Sequence, residues 1–84
     1  MRVLKFPLAI ADSQQVMMPA GASALHVGVQ SGYPCLWALC DAMPLVSHTI
    51  YVCGTGHAVP HSAVYVGTFM MHEGGLEFHV FAEP

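Results

Sequence analysis

The chain has 84 residues, of which 55% are hydrophobic and 8% are charged, and its formal net charge is −3. This length allows one domain, and two basic residues are too few for the basic surface that genomic nucleic acid requires. Ordinary soluble domains carry roughly 25% charged residues. Part of the apolar surface should therefore be covered by a partner, and we predict a homo-oligomer.

Signals for helices and for membrane insertion are weak along the whole chain. Eight glycines and six prolines interrupt it, so no 3.6-residue period is sustained. No segment reaches the ~18–20 continuous apolar residues that span a bilayer. The apolar stretch at the N-terminus is too short and too often interrupted by polar residues and proline to be a signal peptide. We therefore expect an all-β, cytoplasmic protein with no membrane partner.

Four short strands are predicted in the first half of the chain, at residues 3–8, 15–18, 24–30 and 35–40. Pro7 places the first of them at a sheet edge or a bend, because proline cannot donate to a ladder. In the third, Leu25, Val27 and Val29 should all point to one side. A turn at 31–34 leads into the fourth, which is apolar on both faces. That strand should be central and covered on both sides, or it should meet another subunit.

Three strands are predicted in the second half, at residues 48–53, 63–72 and 76–81, after a loop at 41–46. Ile50 and Val52 should face away from Tyr51 and Cys53. The residues at 73–75 (EGG) should supply the positive φ angles of a tight hairpin. Six or seven short strands at this spacing predict one domain over residues 1–84, an antiparallel barrel or sandwich.

The cysteines and histidines do not form a recognisable metal or catalytic pattern. Cys35, Cys40 and Cys53 are odd in number and lack paired spacing, so we expect reduced, buried thiols. His57 and His61 lie in a loop and not on one helix face, so neither a metal nor any other cofactor is predicted. The chain contains residue types that could form a catalytic triad, but only their geometry would test such a triad. We expect no enzyme activity.

The turn-rich segment at 54–62 contains the best candidate for a ligand site. The closely spaced Gly54 and Gly56 could let backbone N–H groups converge on an anion, although a bend between strands explains the same residues. If a ligand binds here, the polar contacts at hand are Thr55, His57 and His61.

Trp37 and two pairs of adjacent methionines are candidates for an interface. The pairs are Met17 with Met18 and Met70 with Met71. Because successive side chains in a strand point to opposite faces, one member of each pair should point outward. Exposed methionines suit an adaptable protein interface.

Six phrases in the sequence occur together in a recognisable order. They are VLKFPL (3–8), MPAGA (18–22), PCLWAL (34–39), GTGH (54–57), YVGTF (65–69) and FHVF (78–81). Together they resemble a family of small domains of unknown function found largely in bacteriophages, prophages and their hosts. The resemblance implies a phage-linked origin but no activity. Its polar matches are Thr55, His57 and His79, which adds His79 to the candidate ligand site.

Three classes of function remain open at this point. The first is a phage-encoded binding protein that captures a host protein or a small signalling molecule, as counter-defence proteins do. The second is a structural or accessory component of the virion. The third is a small metal-binding protein or an enzyme, which the absence of a metal or catalytic motif disfavours.

Overall fold

The computed structural model describes residues 1–84 and contains seven β-strands and no helix. The strands are β1 (Arg2–Pro7), β2 (Gln14–Pro19), β3 (Ser23–Gln30), β4 (Tyr33–Cys40), β5 (Leu45–Gly54), β6 (Val64–Met71) and β7 (Leu76–Ala82). They form a three-stranded sheet of order β1-β4-β3 and a four-stranded sheet of order β2-β5-β7-β6, with every paired neighbour antiparallel. The predicted all-β class is confirmed, as a small two-sheet sandwich. The structure contains no helix that is long and apolar enough to cross a bilayer.

The two sheets pack against each other through one layer of apolar side chains. The largest fully buried members are Leu36 of β4, Ile50 of β5 and Val80 of β7, each at most 1% exposed. Full burial of a side chain of this size contributes roughly 1.5–3 kcal/mol. No polar or charged residue is buried with them. The predicted alternation in β5 is confirmed, because Ile50 and Val52 face this layer and Tyr51 does not.

Two strands begin two or three residues earlier than the sequence predicts. β4 begins at Tyr33, because the hairpin turn needs only Ser31 and Gly32, both with positive φ. β5 begins at Leu45, inside the predicted loop at 41–46, because Leu45 pairs with Pro19 of β2. That pairing joins residues far apart in the chain and has no local signal.

The hairpin between β6 and β7 also departs from the prediction. Positive φ angles occur at His72, Glu73 and Gly74, whereas Gly75 is not among the positive-φ residues. The amide of Gly75 instead donates a hydrogen bond to the carbonyl of His72 at 2.9 Å. The turn therefore lies one residue earlier than predicted.

The predicted alternation in β3 is broken by a β-bulge between Ala24 and His26. A bulge adds one unpaired residue to a strand and shifts everything on one side of it. Val27 is therefore buried in the core, while Leu25 is 51% exposed and does not join it. The prediction that Leu25 and Val27 share a face is wrong for this reason.

A glycine lets the two sheets come together at the corner where β3 lies against β6. A Cβ atom built on Gly67 would stand 2.8 Å from Cγ2 of Val27, closer than two carbon atoms can pack. β6 has its own bulge, between Tyr65 and Gly67, beside this contact. Close approach at this corner therefore requires glycine.

The interior of the sandwich is open at the end formed by the residues on the N-terminal side of these two bulges. Ala24, Val46 and Val64 pair with the core or core-packed residues Ala38, Met18 and Ala82, so the register directs their side chains inward. All three are nevertheless exposed, Val46 by 40% and Val64 by 57%. Bulges bend the strands that carry them, and the sheets diverge on this side of both bulges.

We expect Gly67→Ala to lower the free energy of unfolding by roughly 1–3 kcal/mol, the usual cost of overpacking a core. The new methyl group would meet Val27, a short side chain only 2% exposed that has no room to move. Urea denaturation measures this change.

Gly28→Ala is the matched control. Its new methyl group would meet the end of the exposed His26 side chain at 3.2 Å, which can rotate away. Equal losses of stability in the two variants would contradict the tight corner.

Candidate functional site

The GTGH segment forms a tight turn at the end of β5. The amide of His57 donates to the carbonyl of Gly54 at 3.1 Å, which closes a four-residue turn. Gly56, at its third position, has φ +89°, a value that favours glycine there. The His57 ring lies over Gly54, with Cε1 3.3 Å from where a Cβ would stand. Nδ1 of the same ring is 3.9 Å from the carboxylate of Asp12.

His79 is the centre of a hydrogen-bonded chain beneath this turn. Its Nε2 lies 2.8 Å from the hydroxyl of Thr55, and its Nδ1 lies 3.1 Å from the hydroxyl of Thr68. Thr68 also bonds the hydroxyl of Tyr65 at 2.6 Å. The carboxylate of Glu77 stands 3.5 Å from Nε2. The network thus joins the turn to the outer face of β6 and β7.

Most of the predicted ligand site is brought together in one small cavity. Gly54, Thr55, Gly56 and His57 line a cavity of about 190 Å³, and His79 lines it from β7. His61 does not line it and lies exposed in the loop that follows. The structure therefore assembles the predicted residues without His61.

Cys53 lines the same cavity but is not a poised nucleophile. It is 4% exposed, and burial together with the nearby charge of Asp12 raises the pKa of its thiol above the usual value. The reactive form of cysteine is the thiolate, so at neutral pH this side chain is a neutral thiol.

The arrangement around His79 is suited to holding a turn or orienting a ligand. A neutral imidazole has one donor and one acceptor nitrogen, and here Thr55 and Thr68 occupy both. One of these contacts must break before His79 can exchange a proton with a substrate. No group of three or more His, Cys, Asp or Glu side chains is gathered as a metal site would require.

Sequence reasoning missed the contribution of Thr68, Tyr65 and Cys53 to this site. Counting back from the predicted turn at 73–75 would have placed Phe69 opposite His79; Thr68 takes that position because the turn lies one residue earlier. Cys53 also pairs with His79, but from β5. No turn connects those two strands directly, so only the tertiary structure reveals the pairing.

A second polar cluster surrounds Glu83, just beyond β7. One carboxylate oxygen, Oε1, accepts hydrogen bonds from the hydroxyls of Tyr51 at 2.8 Å and Ser62 at 2.7 Å. The bond to Glu83 and its negative charge, with some burial, raise the pKa of the Tyr51 phenol. This cluster has no counterpart among the predicted sites.

The predicted interface residues divide between the surface and the core. Met17 and Met70 are 53% and 57% exposed, as expected for one member of each pair. Met18 is 2% exposed in the core and Met71 packs against it, so neither is free to meet a partner. Trp37 is half-buried, and its ring stacks at an angle on His26 with centroids 5.4 Å apart.

We expect Thr55→Val to loosen the turn and to lower the global free energy of unfolding only modestly, by no more than about 1.5 kcal/mol. The variant keeps the shape of the side chain but loses the hydroxyl that meets His79, a bond worth about 0.5–1.5 kcal/mol. Amide hydrogen exchange of His57, whose bond to Gly54 closes the turn, should become faster. Thr49→Val is the control, since its hydroxyl bonds Gln15 on β2 instead. Unchanged exchange at the turn would contradict a tethering role.

We expect Cys53 to react slowly with a disulfide reagent at pH 8 when Cys35 and Cys40 are replaced by alanine. Its rate should be about tenfold or more below that of the urea-unfolded chain, because burial favours the unreactive thiol. The raised pKa also means that the folded-state rate should rise at a higher pH than the unfolded-state rate. A fast reaction at pH 7 would show that Cys53 is activated instead.

A family model described as "Domain of unknown function (DUF7352)" matches residues 1–84. No curated protein and no solved structure matches the chain. The match extends over both sheets and over every residue of the His79 network, and the chain therefore belongs to this family of domains of unknown function.

Proposed function

We propose that this protein is a small non-enzymatic binding protein that assembles with further copies of itself. In this proposal it is encoded by a bacteriophage or prophage and acts in the host cytoplasm. It captures a host protein or a small signalling molecule, as a counter-defence protein does. The phage origin is supported by the resemblance of the six sequence phrases.

The observation that carries the proposal is the apolar outer face of the three-stranded sheet. Val3, Trp37 and Leu39 lie on this face, and Val3 is 56% exposed. The polar residues of this face include Lys5, His26 and Gln30, and the ammonium group of Lys5 is engaged by the side chain of Gln30. Because little charge would have to be desolvated, a second copy could cover this face at low cost.

The chemistry of the His79 site supports binding over catalysis. Both nitrogens of His79 are occupied, and Cys53 is held as a neutral thiol. A general base and a nucleophile need the opposite properties, namely a free nitrogen and a lowered thiol pKa. The turn is better suited to donate hydrogen bonds to a captured molecule.

A second candidate function, a structural or accessory virion component, is favoured by the opposite side of the sandwich. The outer face of the four-stranded sheet also exposes Met17, Tyr65 and Met70. Two different faces that each expose some apolar side chains, on opposite sides of the sandwich, can join copies into an open stack, whereas one self-complementary face closes a dimer.

We expect the protein to sediment as a dimer or a larger closed oligomer and Val3→Glu to shift it toward the monomer. A carboxylate on the contact surface would be desolvated without a partner. Analytical ultracentrifugation over a range of concentrations measures both states.

Ile10→Glu is the control, because Ile10 is similarly exposed, at 50%, but lies in the loop between β1 and β2. A wild-type monomer at high concentration would overturn the proposal. Growth into an open polymer would favour the virion component.

A further inference from the structure

A row of three aromatic side chains crosses the outer face of the four-stranded sheet. Tyr51 of β5 pairs with Phe81 of β7, and Phe81 pairs with Tyr65 of β6. Their chain neighbours Val52 and Val80 are in the core, so Tyr51 and Phe81 point outward. The rings of Phe81 and Tyr65 meet edge to face with centroids 5.5 Å apart, and Tyr65 is 56% exposed.

A carboxylate lies on each side of this aromatic row, along the line of β7. Glu77 lies on the same face of the strand as Phe81, because residues four apart in a strand point to one side. The amide of Glu83 donates to the carbonyl of Thr49 at 3.0 Å, which extends the ladder beyond β7. The carboxylate of Glu83 is on the outer face, where it accepts a hydrogen bond from Tyr51. The two glutamates are six residues apart in the chain, which is roughly 20 Å in an extended strand.

This side of the molecule has no lysine or arginine to neutralise the two carboxylates. The only such residues in the chain are Arg2 and Lys5, both in β1 of the other sheet. Glu77 has the imidazole of His79 at 3.5 Å, and Glu83 has no basic nitrogen within 4.0 Å. A neutral partner would desolvate these charges without a counter-ion, and an anionic partner would be repelled. The face is therefore complementary to a cationic partner.

A second copy of the chain does not supply a matching basic surface. Arg2 and Lys5 are three residues apart in one strand, so they point to opposite faces of it. The ammonium group of Lys5 is engaged by Gln30, and Arg2 lines a separate cavity beside Asp41. Another copy would therefore bring at most one basic side chain to two carboxylates. The cation must come from a different protein.

We propose that the outer face of β5, β6 and β7 docks an arginine-bearing segment of another protein. This inference rests on the proposed capture of a host protein and names the chemistry of that partner. A guanidinium group is planar, so it stacks on an aromatic ring such as Tyr65 and forms paired hydrogen bonds to a carboxylate. One arginine pairs with Glu77 and another with Glu83, and their apolar stems cover the aromatic row. Self-assembly through the three-stranded sheet leaves this face free.

The test compares two acetylated heptapeptides that differ only in charge. One has arginine at both ends with alternating serine and alanine between them, and the other has the uncharged isostere citrulline in place of arginine. Titrations of ¹⁵N-labelled protein at pH 7.5 and low salt should show the arginine peptide binding about fivefold or more tightly. The shifted amides should include those of Tyr51, Tyr65 and Phe81, and added salt should reduce the difference. Equal affinities, or shifts confined to other surfaces, would overturn the proposal.

Glu77→Gln and Glu83→Gln should each reduce the preference for the arginine peptide by about twofold or more. Glutamine at 83 still accepts the hydrogen bonds of Tyr51 and Ser62, and Glu77 is exposed, so its variant decides the question if the other fails to fold. Asp41→Asn is the control, because it removes the same charge from the end of β4 in the other sheet. An equal loss in Asp41→Asn would assign the preference to net charge and overturn the proposal.

Tyr65→Leu keeps an apolar side chain but removes the aromatic ring, and it should weaken the arginine peptide by about twofold or more. Tyr33→Leu is the matched control, because Tyr33 is 71% exposed on β4 of the three-stranded sheet. Unchanged binding to a folded Tyr65→Leu variant would contradict stacking on this row.

Self-assembly and arginine docking can fail separately. A monomer in sedimentation that still prefers the arginine peptide would overturn self-assembly and support docking. Amide shifts of Tyr51, Tyr65 and Phe81 that change on dilution without peptide would show that a second copy covers this face, and they would overturn the docking proposal. Tighter binding of spermine than of the arginine peptide would make a polyamine the occupant and would overturn it as well.

Discussion

The layer of apolar side chains between the two sheets is the constraint on which the rest of the molecule depends. Its buried cluster contains ten residues, among them Leu36, Ile50 and Val80, and none of them is polar. A layer this thin buries only one face of each sheet. The outer faces must be covered by the remaining side chains of the chain. Two basic and five acidic residues are too few to cover them. The exposed apolar surface follows from that shortage of charged residues.

The position of β7 between β5 and β6 determines what the polar residues can do. It brings Cys53 and Thr68 to opposite sides of His79, and it carries Glu83 to the hydroxyl of Tyr51. Each polar cluster therefore combines residues from strands that are separated in the chain but adjacent in the sheet. Backbone pairing fixes the spacing within each cluster, so the hydroxyl and imidazole groups need only rotate to meet.

The two bulges give the sandwich its unequal ends. Beyond them Val27 and Gly67 are in close contact, whereas before them Ala24 and Val64 face an open groove. The chain thus presents three surfaces of different chemistry: a sheet face with little charge, a polar turn over His79, and a groove with an apolar floor. For a member of a family of unknown function, these surfaces define which classes of partner are physically reasonable.

The local pattern of the sequence by itself determined the strands and several of their contacts. Alternation put Ile50 and Val52 on one face and turned one methionine of each adjacent pair outward, because successive side chains in a strand point to opposite faces. The exposed members are Met17 and Met70. The EGG segment also indicated the hairpin before β7, although one residue away from its actual position.

The tertiary structure alone decided the sheet order, the bulge that expels Leu25, and the pairing of Cys53 with His79. It also decided that the carboxylate of Glu83 accepts hydrogen bonds from Tyr51 and Ser62. Alternation and turn chemistry act over a few neighbouring residues, and they therefore leave a readable pattern in the sequence. Pairing between distant strands depends on how the whole core packs, and no short segment of the chain contains that information.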